Sequence, residues 1–193
     1  MSTVTKIVRS WALADLPTIR EITWITWLDT YSSFIPLEDL KSYFDEHYSE
    51  EALTLLFRDK HVDGFVAESG SKMAGYEKNM FREEEGRYYV SSLYILPHYQ
   101  GQGLGQDLLC SAEQRAFRYG LDRLWLGVMV NNKSALSWYL KHGFNFVEEL
   151  PFTMGETTVS HVIGYRIIND IRSQTDAPLS VQPPHTQRRR RNV

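Results

Sequence analysis

Tyr94-Ile-Leu-Pro-His-Tyr-Gln-Gly-Gln-Gly-Leu-Gly-Gln-Asp-Leu-Leu109 is the stretch from which the rest of the chain can be read. An apolar strand runs into Pro97, a glycine-rich turn follows, and a helix begins within it. That helix carries Leu104, Leu108, Leu109, Ala112 and Ala116 on one face. Gly101, Gly103 and Gly105 allow backbone to approach a ligand closely. They also expose N–H groups at a helix N-terminus, where unpaired donors and the helix dipole both favour an anion, and a pyrophosphate suits such a turn. A plain strand-to-helix connection needs only one glycine. Two other phosphate-binding turns do not match. The dinucleotide fingerprint wants a third glycine where Gln106 stands, and no Gly-Lys-Ser/Thr closes the turn as in a nucleoside-triphosphate loop.

Working outward, strands are predicted at Gly64–Ser69, Met73–Met80 and Tyr88–Leu96, with Gly70-Ser71 as the tight turn between the first two. The glycine-turn helix covers Leu104–Tyr119 and leads to an apolar strand at Arg123–Val130. A short helix, Ser134–His142, stops at Gly143, and strands follow near Phe144–Leu150 and Val159–Ile168. At the other end a strand at Val4–Ser10 precedes a helix to Tyr31, with Asp15 as N-cap and Leu16, Ile19, Ile22 and Ile25 at helical spacing. A second helical region covers Asp39–Phe57, with a break expected near Ser49. The order βααβββαβαββ describes an α/β fold, a mixed sheet flanked by helices.

The 193 residues suit one domain, residues 1–172, followed by a disordered basic tail, 173–193, which has three prolines, the run Arg188–Arg191 and no apolar periodicity. Without the four arginines and one aspartate that follow Arg172, the body carries 17 basic against 23 acidic residues. This argues against nucleic acid as a partner and is compatible with a cationic small substrate. No apolar run approaches the roughly 18 residues of a membrane span. The single cysteine, Cys110, cannot form an internal disulfide and reads as a small buried side chain; a reducing, cytoplasmic setting fits. The histidines form neither an i, i+4 pair nor a Cys/His cluster, so no metal site is expected.

Two motifs together give the chain a family resemblance. Gln100-Gly101-Gln102-Gly103-Leu104-Gly105 is similar to the coenzyme A motif of the GNAT superfamily of N-acetyltransferases. Asn132, Ala135, Trp138-Tyr139 and His142-Gly143-Phe144 resemble its second hallmark, about 30 residues on. The resemblance spans roughly residues 4–170 and implies acetyl-coenzyme A as co-substrate. It implies that Gln100, Gly101, Gln102, Gly103, Leu104, Gly105 and Gln106 hold the pyrophosphate. It further implies that Leu93, Tyr94 and Ile95 pair their backbone with the pantetheine arm. Asn132 would bind the pantetheine or position the following helix, Lys141 would contact the nucleotide end, and the Tyr139 hydroxyl would face the thioester sulfur. Tyrosine near a departing thiolate can serve as general acid, although helical spacing alone also allows Tyr139 to be a core aromatic.

For the acceptor, Trp27–Tyr31, Pro36–Leu40 with Tyr43, Phe152–Gly155 and Trp125–Val128 look like the bacterial spermidine/spermine acetyltransferase branch. That implies a primary amine, with a polyamine as the specific case and Tyr31, Asp29 and Glu38 as substrate-binding residues. Asp39, Asp45, Glu46, Glu50 and Glu51 add acidic charge. Departures stand beside this. The strand before the turn reads Val90-Ser-Ser-Leu-Tyr94 where the family often has a glutamate base, and His161 stands where the branch tends to have Asp. Glu68, Glu77, Tyr31, His161 and water remain the possible bases. A protein N-terminus or another small amine is the alternative acceptor, and a non-catalytic coenzyme A-binding module the alternative function. The expected partner is a small-molecule amine, with no nucleic acid and no membrane, and a homodimer is left open.

Overall fold

The computed structural model describes residues 4–168. Seven strands form one sheet: β1 (Lys6–Ser10), β2 (Val62–Ser69), β3 (Lys72–Arg82), β4 (Arg87–Ile95), β5 (Arg123–Met129), β6 (Asn145–Met154) and β7 (Thr157–Ile167). Five helices flank it: α1 (Leu16–Tyr31), α2 (Leu37–His47), α3 (Glu50–Arg58), α4 (Leu104–Arg118) and α5 (Lys133–Lys141). The expected α/β class holds, and the break near Ser49 is real. Ser49 accepts a hydrogen bond from Ala52 N at 3.1 Å and caps α3, so three helices, not two, precede β2. The tail expected from Ser173 lies outside the described residues.

The strand order is β1-β2-β3-β4-β5-β7-β6, antiparallel except where β5 lies parallel to β4. That parallel pairing covers only Tyr88–Leu124, Tyr89–Trp125 and Val90–Leu126. The β3–β4 register shifts between Lys78 and Asn79, with Ser91 as the extra residue. Past Val90 the strands part, and β4 has no ladder partner on its β5 side.

One face of the sheet packs on α1–α3 through Leu16, Ile19, Ile22, Leu40, Phe44 and Leu53. The other packs on α4 and α5 through Leu109, Ala112, Ala116, Tyr139 and Phe144. Each large apolar side chain fully buried in this way stabilises the fold by about 1.5–3 kcal/mol. The α4 face is as the spacing predicts, with Leu104, Leu108, Leu109, Ala112 and Ala116 all buried.

Three local expectations are corrected. Ile25 is 40% exposed, because the buried stripe of α1 passes through Thr23, Thr26 and Trp27 instead. Thr23 and Thr26 satisfy their hydroxyls on the carbonyls of Ile19 and Ile22, both at 2.8 Å, which removes the desolvation penalty of burying them. Asp15 occupies the N-cap position without capping: it pairs with Arg9 at 2.7 Å and accepts from Ala12 N at 2.7 Å. Cys110 is exposed, since it falls on the outer side of α4 between the buried Leu109 and Ala112.

Candidate active site

The parting of β4 from β5 opens a cleft of about 1350 Å³ through the sheet. At one end is the glycine turn. Gly101 (φ 72°) and Gly103 (φ 88°) take left-handed backbone that side chains disfavour, and Gly103 is the N-cap of α4. Among the described residues, the N–H groups from Gly101 to Gly105 meet no acceptor, so five donors stand free around the first turn of a helix. Such a cradle fits the pyrophosphate expected there. Gly105 is needed for a different reason. A Cβ there would lie 3.3 Å from the Trp138 ring, so the glycine lets α5 dock on the start of α4. The two sequence motifs are thus in direct contact.

Asn132 is the N-cap of α5, its Oδ1 accepting from Ala135 N at 3.0 Å. Of its two expected roles, positioning the helix is therefore observed, and the residue also lines the cleft. The helix it starts carries Tyr139 to the middle of the opening, 8% exposed and packed edge-on to Phe144 with ring centroids 5.4 Å apart. Burial pushes the Tyr139 hydroxyl well above the ordinary phenol range, and the nearby Glu77 and Tyr31 push the same way, so it keeps its proton.

The other end is aromatic. Trp27, Tyr31 and Phe34 from α1 and the turn after it face Tyr43 and Tyr48 of the α2 region, with Phe152 and His161 from the β6–β7 hairpin. Burial raises Tyr31 to about 12, with a hydrogen bond from Tyr94 opposing. His161 lies over Gly127, where a Cβ would come within 2.2 Å of its ring. Burial lowers its pKa and a Gly127 backbone contact opposes that, so the imidazole is neutral near pH 7.

The structure sorts the expected residues. Leu93, Tyr94, Ile95, Gln100, Gly101, Gly103, Leu104, Gly105, Gln106, Asn132, Tyr139, Tyr31 and Asp29 line the cleft. Gln102, Lys141 and Glu38 do not. The Gln102 side chain turns back to the His98 carbonyl at 3.2 Å, Lys141 lies exposed on the last turn of α5, and Glu38 borders a separate shallow depression beside Glu46 and Glu156. Of the proposed bases, Glu68 is held by Arg9 at 2.7 Å, away from the cleft. Glu77 is fully buried outside the cleft lining, held protonated by burial, with Asn79 Nδ2 donating to its Oε1 at 2.6 Å. Tyr31 and His161 remain. Asp39 and Asp45 have structural duties. Asp39 accepts from Glu156 N at 2.9 Å and Thr157 Oγ1 at 2.6 Å, and Asp45 meets Lys41 and Arg20. Tyr48, Phe34 and Lys78 also line the cleft and are missing from the sequence reading; of these, only the spacing of Phe44 and Tyr48 one turn apart on a buried face hinted at it.

Residues 19–144 match the model of the acetyltransferase (GNAT) family. The chain belongs to that family. It is an acetyl-coenzyme A-dependent N-acetyltransferase, with acetyl-coenzyme A as co-substrate. It is 25% identical over 148 residues to an uncharacterized N-acetyltransferase of Lactobacillus delbrueckii subsp. lactis, covering 74% of this chain and 86% of that one. It is 26% identical over 141 residues to the spermidine N(1)-acetyltransferase of Thermoplasma acidophilum, covering 71% of this chain and 86% of that one. In fold it resembles the crystal structure of a PaiA N-acetyltransferase from Thermoplasma acidophilum in complex with coenzyme A (TM-score 0.70, 24% identity, 81% of this chain and 98% of that one). No helix among the described residues of this acetyltransferase is long and apolar enough to cross a membrane.

Proposed function

We propose that the acetyl group passes directly from acetyl-coenzyme A to a primary amine inside the β4–β5 opening. The observation that carries this is the convergence of three features on one cleft: free N–H donors at the glycine turn, the buried Tyr139 hydroxyl, and an aromatic wall holding a neutral imidazole. In this reading Gly101–Gly105 take the pyrophosphate. The unpaired edge of β4 at Leu93–Ile95 takes the pantetheine amides and offers N–H groups to the thioester carbonyl. The amine nitrogen attacks the carbonyl carbon, and the carbon–sulfur electron pair leaves on sulfur. Tyr139 then gives its proton to that thiolate. His161, unprotonated near pH 7, accepts the amine proton directly or through water, with Tyr31 beside the path.

The more specific reading is a polyamine acceptor. It is supported by the name of the Thermoplasma relative and by Asp29 at the cleft, and it stands second because cations also line this end. The single cysteine, Cys110, supports a reducing, cytoplasmic setting. The test is mass spectrometry of an amine panel incubated with protein and acetyl-coenzyme A. An acetylated amine is the expected product. Tight coenzyme A binding with no product from any amine would favour a non-catalytic module.

A further inference from the structure

Lys78 stands out at the acceptor end. It lies on β3 directly across from Ser92 of β4, lines the cleft, and is half-buried, with its Nζ 5.2 Å from the centroid of the Tyr48 ring. The neighbouring charges are already engaged. Glu85 holds Arg82 and Arg87, and Glu148 holds Arg87. Among the described residues no carboxylate reaches Lys78 within ion-pair distance; Asp29, also on the cleft, pairs with nothing either.

A half-buried ammonium that lines the cleft without a counter-charge suits a ligand that brings negative charge. A polyamine supplies none and would place like charges beside Lys78. We infer that the acceptor is an amine that also carries a carboxylate, with Lys78 receiving the carboxylate while Asp29 draws the ammonium end into the cleft. This rests on the proposed acetyl transfer to an amine and names the class of amine.

The test compares straight-chain ω-amino acids with their carboxamides, and with putrescine and spermidine, as acceptors for wild type and for Lys78→Gln and Lys78→Glu. Retention of the acetyl-coenzyme A thermal shift checks that the variants fold. Wild type should favour each acid over its amide by about fivefold or more in kcat/KM, the size of one partly exposed charge pair. Lys78→Gln should bring that ratio near one, and Lys78→Glu should invert it towards the diamine. Wild-type preference for the amides or for spermidine overturns the inference, as does an acid preference that survives in Lys78→Gln. Should no amine be acetylated, the transfer reading fails. The inference is then decided by tryptophan-fluorescence titration of the same pairs against the coenzyme A complex. Tighter binding of acid than amide in wild type and not in Lys78→Gln supports it, and equal binding overturns it.

Discussion

The two ends of the cleft are built on different principles. The cofactor end is made of backbone: five N–H groups around the start of α4 and the open edge of β4, with side chains serving mainly to keep out of the way. The acceptor end is made of side chains brought from α1, α2, β3 and the β6–β7 hairpin. A backbone site tolerates little change of conformation and gives one consecutive signature. A side-chain site assembled from distant segments can change its chemistry one residue at a time.

Four substitutions probe that contrast, from the largest expected effect down. Gly103→Glu puts a side chain with negative charge on left-handed backbone in the cradle. It should abolish the stabilisation by acetyl-coenzyme A, which in wild type reaches about 2.7 kcal/mol at a hundredfold excess over Kd. Normal binding by a folded Gly103→Glu protein would break the backbone side of the comparison. Tyr139→Phe removes one buried hydroxyl and keeps the ring. The single-turnover rate should fall by about 10²–10⁴-fold while cofactor affinity changes little. A rate within about threefold of wild type would make Tyr139 a packing residue.

His161→Asn should lower kcat/KM by about tenfold at neutral pH, short of a full base effect because Tyr31 and water remain beside the path. The pH profile is the sharper measurement. A base must be unprotonated, and burial lowers the pKa of His161, so the acid limb should lie below the ordinary imidazole value. Activity is then retained as pH falls through the usual histidine range and lost beneath it. Should the limb persist unchanged in His161→Asn, another group carries it. Asp39→Asn weakens the tie from α2 to the hairpin, and should raise the acceptor KM by about threefold, leaving acetyl-coenzyme A affinity untouched. A change in cofactor affinity would mean that the two ends are not independent.

The same contrast explains how much the sequence discloses. Gly101, Gly103 and Gly105, the α4 stripe and the Asn132 cap are legible because each depends on a local rule of turn, period or cap. The succession of strands and helices follows from the alternating pattern, and the Ser49 break from one capping serine, whereas the sheet order, with β7 between β5 and β6, does not. What is not legible depends on side-chain direction after folding. Glu38 and Asp39 are neighbours on α2 and border the same separate depression, yet only Asp39 reaches across to clamp a turn 117 residues away. Glu77 and Lys78 are adjacent on β3, and strand alternation sends one into the interior and the other to the cleft. Cys110 sits among apolar neighbours and still points outward, because a one-residue step on a helix turns the side chain by about 100°.

The Asp39 clamp bears on how such an enzyme could be rebuilt. Gly155 turns with φ 59°, and a Cβ there would lie 2.3 Å from the Asp39 carboxylate, so the helix and the hairpin tip interlock like a key in a ward. Positions 39 and 155 are therefore bound to vary as a pair. A graft that imports α2 from another acetyltransferase to change its acceptor must import the hairpin tip in the same piece, whereas the glycine turn can stay where it is.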